Sequence, residues 1–140
     1  MATIDHLGIA VKSIAAARGF YEALGMGVVH EETIEDEQVR TAMIPVGESR
    51  IELLEPTADD SPVGRFLAKR GEGLHHICVT VPDIRATLAT LAARGLPLID
   101  REPRVGAGGA LIAFVHPKGS RGVLLELKQA GTGTAHCACP

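Results

Sequence analysis

Two histidine–glutamate sets recur along the chain. His6 lies in Ile4-Asp5-His6-Leu7-Gly8-Ile9-Ala10-Val11, and His76 in Leu74-His75-His76-Ile77-Cys78-Val79-Thr80-Val81. Glu52 stands in Arg50-Ile51-Glu52-Leu53-Leu54, and Glu126 in Leu124-Leu125-Glu126-Leu127. The separation is 46 residues from His6 to Glu52 and 50 from His76 to Glu126. A carboxylate inside an apolar strand is costly to bury unless it is paired or metal-bound. One such glutamate alone would be read as facing solvent, because strand residues alternate outward. One such histidine alone would be read as structural. Four of them at matching places are read together, as two His and two Glu closing around one divalent cation. Imidazole with carboxylate suits cobalt, nickel, manganese or zinc.

The elements that must position these residues also come in two copies, offset by 70. His6 falls on His76, Val11 on Val81, Ile14 on Ile84 and Gly25 on Gly95. Each copy opens with an apolar, partly alternating run that suits a half-buried strand. A helix follows in each: Ile14 to Leu24 capped by Ser13, and Ile84 to Arg94 opened by Pro82-Asp83. Gly25 and Gly95 stand where a helix end favours a left-handed residue. Strands are expected at Gln38 to Val46 and Arg50 to Leu54, joined by a hairpin turn at Gly47-Glu48-Ser49. Their counterparts are Ala110 to Val115 and Gly122 to Lys128, joined by a turn over His116-Pro117-Lys118-Gly119-Ser120. These elements give βαββ in each half, and each half is read as βαβββ. Module one covers about residues 3–56, a linker helix region 57–72 and module two about 73–129, within one domain at 1–130. In the linker, Ser61 to Leu67 reads as a short capped helix and Gly71-Glu72-Gly73 as a hinge. The small-residue tail at 131–140 is expected to be disordered.

The repeat register selects His76 over His75 as the ligand, and strand alternation sends His75 to the other face. His30, His116 and His136 have no partner in the repeat and are read as surface or turn residues, His116 near the mouth of the site. Cys78 reads as a small buried hydrophobe. Cys137 and Cys139, in the tail, do not make a disulfide framework.

Composition narrows the function. Aromatic residues are 3% of the chain, which argues against a base-stacking platform. The formal net charge of -3 removes the pull toward phosphate backbones, so no nucleic-acid partner is expected. No apolar run is long enough to cross a bilayer, so no membrane partner is expected either. The opening Met1-Ala2-Thr3-Ile4-Asp5 lacks a signal-peptide pattern, and a cytoplasmic location is the expectation.

With these residues in view, the chain resembles the vicinal oxygen chelate superfamily (glyoxalase/bleomycin resistance/dioxygenase), and within it the methylmalonyl-CoA epimerases. The resemblance is carried by Ile4 to Val11, Ile51-Glu52-Leu53-Leu54-Glu55-Pro56, Asp60-Ser61-Pro62-Val63, Leu74-His75-His76-Ile77, and His116-Pro117-Lys118 followed by Gly122 to Leu127. It covers about residues 3 to 129. It implies an α+β fold in which two tandem βαβββ modules form an incomplete eight-stranded barrel around a metal site. It also implies a homodimer, and an isomerase acting on an acyl-CoA by proton transfer through a metal-stabilised enolate. The ligand set it implies, His6, Glu52, His76 and Glu126, agrees with the repeat, and cobalt is the favoured ion.

Glu126 is the expected first base and Glu52 the second. In some epimerases a further glutamate on the second strand of module one acts as a base; here that position is Thr41, which cannot do so. Water, Glu37 or Glu48 are the alternatives for the second transfer. Lys118 and Arg121 are the expected contacts to the CoA phosphates, with Lys69, Arg70 and Arg104 as further candidate cations. The run Arg104-Val105-Gly106-Ala107-Gly108-Gly109 resembles a phosphate-cradling loop, but it precedes a strand and fails the dinucleotide-fold context. It is read as a mobile loop near the site.

Three rival functions share the pattern in part. Glyoxalase I can use the same four ligands. A non-haem iron dioxygenase needs only two His and one carboxylate, and a fourth protein ligand would crowd out oxygen. A metal-free drug-binding protein would need an aromatic-lined cleft, which the composition does not supply.

Overall fold

The computed structural model describes residues 2–131. His136, Cys137, Cys139 and all of the expected tail except Gly131 lie outside them. The elements in chain order are β1 (Thr3–Ala10), α1 (Ile14–Ala23), β2 (His30–Ile34), β3 (Val39–Val46), β4 (Ser49–Pro56), α2 (Pro62–Arg70), β5 (Gly73–Val81), α3 (Ile84–Ala93), β6 (Arg104–Val105), β7 (Leu111–Val115) and β8 (Leu125–Gln129). The βαβββ order therefore occurs twice, with α2 between the copies, and the chain is α+β as expected. Among the described residues no helix is long and apolar enough to cross a membrane.

The chain divides into two compact units, one at His6–His75, the other comprising the chain start and the described residues from His76 onward. In the first, hydrogen bonding orders the strands β2-β3-β4-β1, and in the second β6-β7-β8-β5. The two orders are the same order. In both units the opening strand runs parallel to the last strand of its module, which the intervening helix makes possible.

The helices begin and end as their sequences dictate. Ser13 Oγ accepts from the Ala16 amide at 3.1 Å, and Asp83 Oδ1 from the Ala86 amide at 3.0 Å. Beyond the last turns Gly25 (φ 83°) and Gly95 (φ 74°) take the left-handed conformation. In α3, Ile84 and Leu88 are buried and Leu91 packs against them, which is helical spacing on one face. That face covers Val81, Ala113, Val115 and Leu127. In the first unit Ile14 and Val11 pack on Ala42, Ile44 and Leu53 in the equivalent way.

The linker helix is longer than its sequence pattern suggested, running to Arg70. Ser61 is fully buried; its hydroxyl donates to the Ala58 carbonyl at 2.6 Å and accepts from the Gly64 amide at 3.1 Å. Pro62 then sits at the helix start, where its missing N–H costs nothing. Val63, with Phe66 and Leu67, packs on Ala10, Val39 and Leu54.

Two expectations need correction, and one strand was not located in the sequence. β8 starts at Leu125 rather than Gly122, because Arg121 (φ 63°) and Gly122 (φ 100°) are in the left-handed region and the Gly122 amide turns back to the Pro117 carbonyl at 2.8 Å. The run at 104–109 is not simply a loop: Arg104 and Val105 pair with Ile112 and Leu111, and only the glycine turn beyond them is irregular. A side chain at Gly106 would press on Ile112. β2 carries His30, Glu31 and Glu32 and shows no apolar alternation. It is held at the sheet edge by a five-residue antiparallel ladder to β3, and Glu31 also meets Arg40 at 2.5 Å and Arg18 at 2.9 Å. The Arg40 guanidinium holds the Glu31 carboxyl below the ordinary carboxylate range.

Two glycines with opposite surroundings test this packing. A Cβ at Gly64 would lie 2.6 Å from the Ala58 carbonyl oxygen, whereas one at Gly19, in α1, would meet open space. Gly64→Ala should lower unfolding free energy by more than about 2 kcal/mol. Gly19→Ala should raise it by roughly 0.5–1 kcal/mol. Urea titration of both variants checks the pair; equal midpoints would contradict it.

Candidate metal centre

Strand register explains how a histidine at the start of a module meets a glutamate at its end. In the first unit Gly8 is paired with Glu52, and in the second Cys78 is paired with Glu126. His6 and His76 each stand two residues before the paired position. Alternation puts residues two apart on one face, so each histidine shares a face with its glutamate. His6 Nε2 is 3.4 Å from Glu52 Oε1, and His76 Nε2 is 3.1 Å from Glu126 Oε1.

All four side chains are buried: His6 is 7%, Glu52 9%, His76 5% and Glu126 8% exposed. The bland alternative for the glutamates, an outward-facing strand position, is thereby removed. Among the described residues no buried side-chain nitrogen or oxygen lacks a hydrogen-bond partner. The donor chemistry fits a cation. Two ligands at bond lengths of about 2.1 Å and a right angle have donor atoms about 3 Å apart, the spacing each His–Glu pair already has. Imidazole and carboxylate also match the borderline ions that the sequence pattern favoured.

His75 lies on the opposite face from His76 and packs edge-on against Phe66, with ring centroids 4.9 Å apart. Thr41 is buried, and its hydroxyl donates to the Glu32 carbonyl at 3.4 Å. Met43, not Thr41, stands directly across from Glu52. Glu48 is exposed in the hairpin turn and Glu37 lies in a short 3-10 turn before β3. Lys118 and Arg121 are both exposed in the loop between β7 and β8. There His116 Nδ1 accepts from the Lys118 amide at 3.0 Å. His116 and His30 are exposed, as their lack of repeat partners suggested.

Two positioning residues escaped the sequence. Glu55 Oε1 accepts from the Ile14 amide at 2.7 Å, and Gln129 Oε1 from the Ile84 amide at 2.8 Å. Each lies three residues after a site glutamate and ties the strand bearing it to the first turn of a helix. The recurrence of a long polar acceptor at that spacing was the available signal.

Comparison with known proteins places these features in context. A family model described as "Glyoxalase/Bleomycin resistance protein/Dioxygenase superfamily" matches residues 5–114. The chain is 47% identical over 128 residues to the uncharacterized protein YqjC of Bacillus subtilis, covering 91% of each. It is 36% identical over 129 residues to the mitochondrial methylmalonyl-CoA epimerase of Homo sapiens, covering 91% of this chain and 73% of that one. Among solved structures it is similar to a Streptomyces coelicolor methylmalonyl-CoA epimerase variant in complex with 2-nitronate-propionyl-CoA. That match has a TM-score of 0.86 and 42% identity, and covers 93% of this chain and 95% of the other.

If either His–Glu pair holds a metal, the purified protein should carry divalent ion, because the donor atoms of each pair already stand close together. His6→Ala and His76→Ala should each weaken cobalt binding by more than about 100-fold, beyond what loss of an outer-shell partner costs. Spectroscopic titration of the apoprotein with cobalt measures this. Unchanged affinity in both variants would exclude the set.

Proposed function

The chain belongs to the glyoxalase/bleomycin resistance protein/dioxygenase superfamily, and on that premise we propose that it is a metal-dependent epimerase interconverting (R)- and (S)-methylmalonyl-CoA. The observation that carries this reading is the pair of equivalent, buried His–Glu sets, one per βαβββ module. The likeness to methylmalonyl-CoA epimerases over nine-tenths of the chain supports the substrate.

In this reading His6, Glu52, His76 and Glu126 hold one divalent cation, with cobalt first among nickel, manganese and zinc. When bound, such an ion supplies Lewis acidity to the thioester and carboxylate oxygens that flank the reacting carbon. The chain's own residues do the rest. Loosened from the ion, the Glu126 carboxylate would take the α-proton on one face of that carbon, and the Glu52 carboxyl, likewise loosened and carrying a proton, would return one on the other. Burial of both glutamates keeps bulk water from competing for the carbanion. Phe114, which is paired with Glu126 and meets His76 edge-on with centroids 6.1 Å apart, walls that side of the site. The buried Thr41 offers no carboxylate, which is why Glu52 is assigned the second transfer. Lys118 and Arg121, both exposed, are assigned to the CoA phosphates. Completing the proposal, the two modules form one domain at residues 1–130 whose strands make an incomplete barrel around the ion, and the protein is a cytoplasmic homodimer.

Turnover in deuterated water tests the proton chemistry. The native enzyme should exchange the α-hydrogen of methylmalonyl-CoA while interconverting its epimers. Glu126→Gln and Glu52→Gln should each slow interconversion by about 100-fold or more, the usual contribution of a positioned acid or base. Normal interconversion by Glu126→Gln would overturn the mechanism. Activity on the methylglyoxal–glutathione adduct, with none on methylmalonyl-CoA, would instead select glyoxalase chemistry.

A further inference from the structure

The two modules share a strand order but not the side chains that surround their glutamates. In the second unit the residues paired across the strands one pleat beyond Glu126 are Arg104, Ile112 and Lys128, from β6, β7 and β8. Paired residues share a face, so this row lies on the face that carries His76 and Glu126, about 7 Å along the strands from the glutamate. The row at the same place in the first unit is Glu32, Thr41 and Leu54. The second row thus has a cation at each end, whereas the first has an acid at one end and leucine at the other.

The cations are held in place but not used up. The Arg104 guanidinium lies over the Phe114 ring, 5.3 Å from its centroid, and its Nε meets Asp100 Oδ2 at 3.4 Å. Asp100 is already committed, because the same oxygen accepts from the Phe114 amide at 2.8 Å. Among the described residues the two terminal amino groups of Arg104 have no partner, and the side chain is 49% exposed. Among the described residues Lys128 Nζ meets only Asp5, at 3.3 Å, and keeps two donors to spare. A guanidinium fixed on an aromatic face with its fork free is set for a planar anion.

We propose that Arg104 and Lys128 form an anion-recognition row that orients the substrate, so that an anionic oxygen group of an acyl thioester lies along the second module and not the first. This rests on the epimerase reading above and adds to it the group that sets which way round the substrate enters. Neither side chain touches the reacting carbon, so both act on binding. The anion has two sources in such a substrate: the acyl carboxylate, through the oxygen turned away from the ion, and a CoA phosphate beyond those given to Lys118 and Arg121.

The test compares the native enzyme with Arg104→Met, Lys128→Met and the double variant on three compounds. With methylmalonyl-CoA the double variant should raise KM at least tenfold while kcat stays within about twofold, and Arg104→Lys should recover part of the loss. If methylmalonyl-pantetheine, which lacks phosphates, suffers the same rise, the carboxylate is the anion; if it does not, the phosphates are. Propionyl-pantetheine, which has neither anion, should bind all variants equally. An unchanged KM for methylmalonyl-CoA, or an equal loss of propionyl-pantetheine binding, would overturn the proposal. Calorimetric binding of CoA and of methylmalonate to the native and double-variant proteins needs no turnover. If the native enzyme fails to epimerise, that comparison still decides the cation row separately from the catalytic assignment.

Discussion

Everything in this molecule that bears on chemistry depends on one register: a parallel strand pair in which a histidine stands two residues before the position opposite a glutamate. Parallel pairing requires a crossover, and α1 and α3 supply it. A slip of one residue would turn the histidine to the helix-covered face, where Leu53 and Leu127 pack, and leave a buried carboxylate without its imidazole. Both outcomes are costly, so the apolar packing on one face protects the polar geometry on the other. Glu55 and Gln129 add to this by fixing the end of each glutamate strand to a helix amide.

Much of this was legible in the sequence because the duplication doubled each signal. A lone Glu52 among leucines is ambiguous, and so is a lone Glu126. Their equivalent places, 46 residues after His6 and 50 after His76, pointed to a shared environment, and the structure buries all four. The helix caps at Ser13 and Asp83 and the left-handed Gly25 and Gly95 could be read because local hydrogen bonding and φ preferences determine them. What could not be read lacked such local causes. β2 has no apolar period; its ladder to β3 and the pairing of Glu31 with Arg18 and Arg40 come from elsewhere in the chain. β6 is only two residues long and exists because Ile112 and Leu111 pair with it. The late start of β8 follows from a left-handed arginine, a conformation that few arginines adopt.

The departure from two-fold likeness is as informative as the likeness. Positions bearing the His–Glu sets match in both residue type and geometry. One pleat away, Leu54 seals against the linker helix, while its counterpart Lys128 carries a charge that meets Asp5. Duplication supplied two equivalent His–Glu pairs, and the residues flanking them have diverged.

The strand order has a further consequence for how such a protein can change over evolutionary time. In the order β2-β3-β4-β1, and likewise β6-β7-β8-β5, the outermost strand lies two places from the nearest strand that bears a site residue. The outer strands already differ, one having five residues and the other two, while the histidine strands have eight and nine. Insertions, deletions and charge reversals can therefore accumulate at the rim without shifting the inner strands. Changes at the rim leave the buried His–Glu pairs of the inner strands in place.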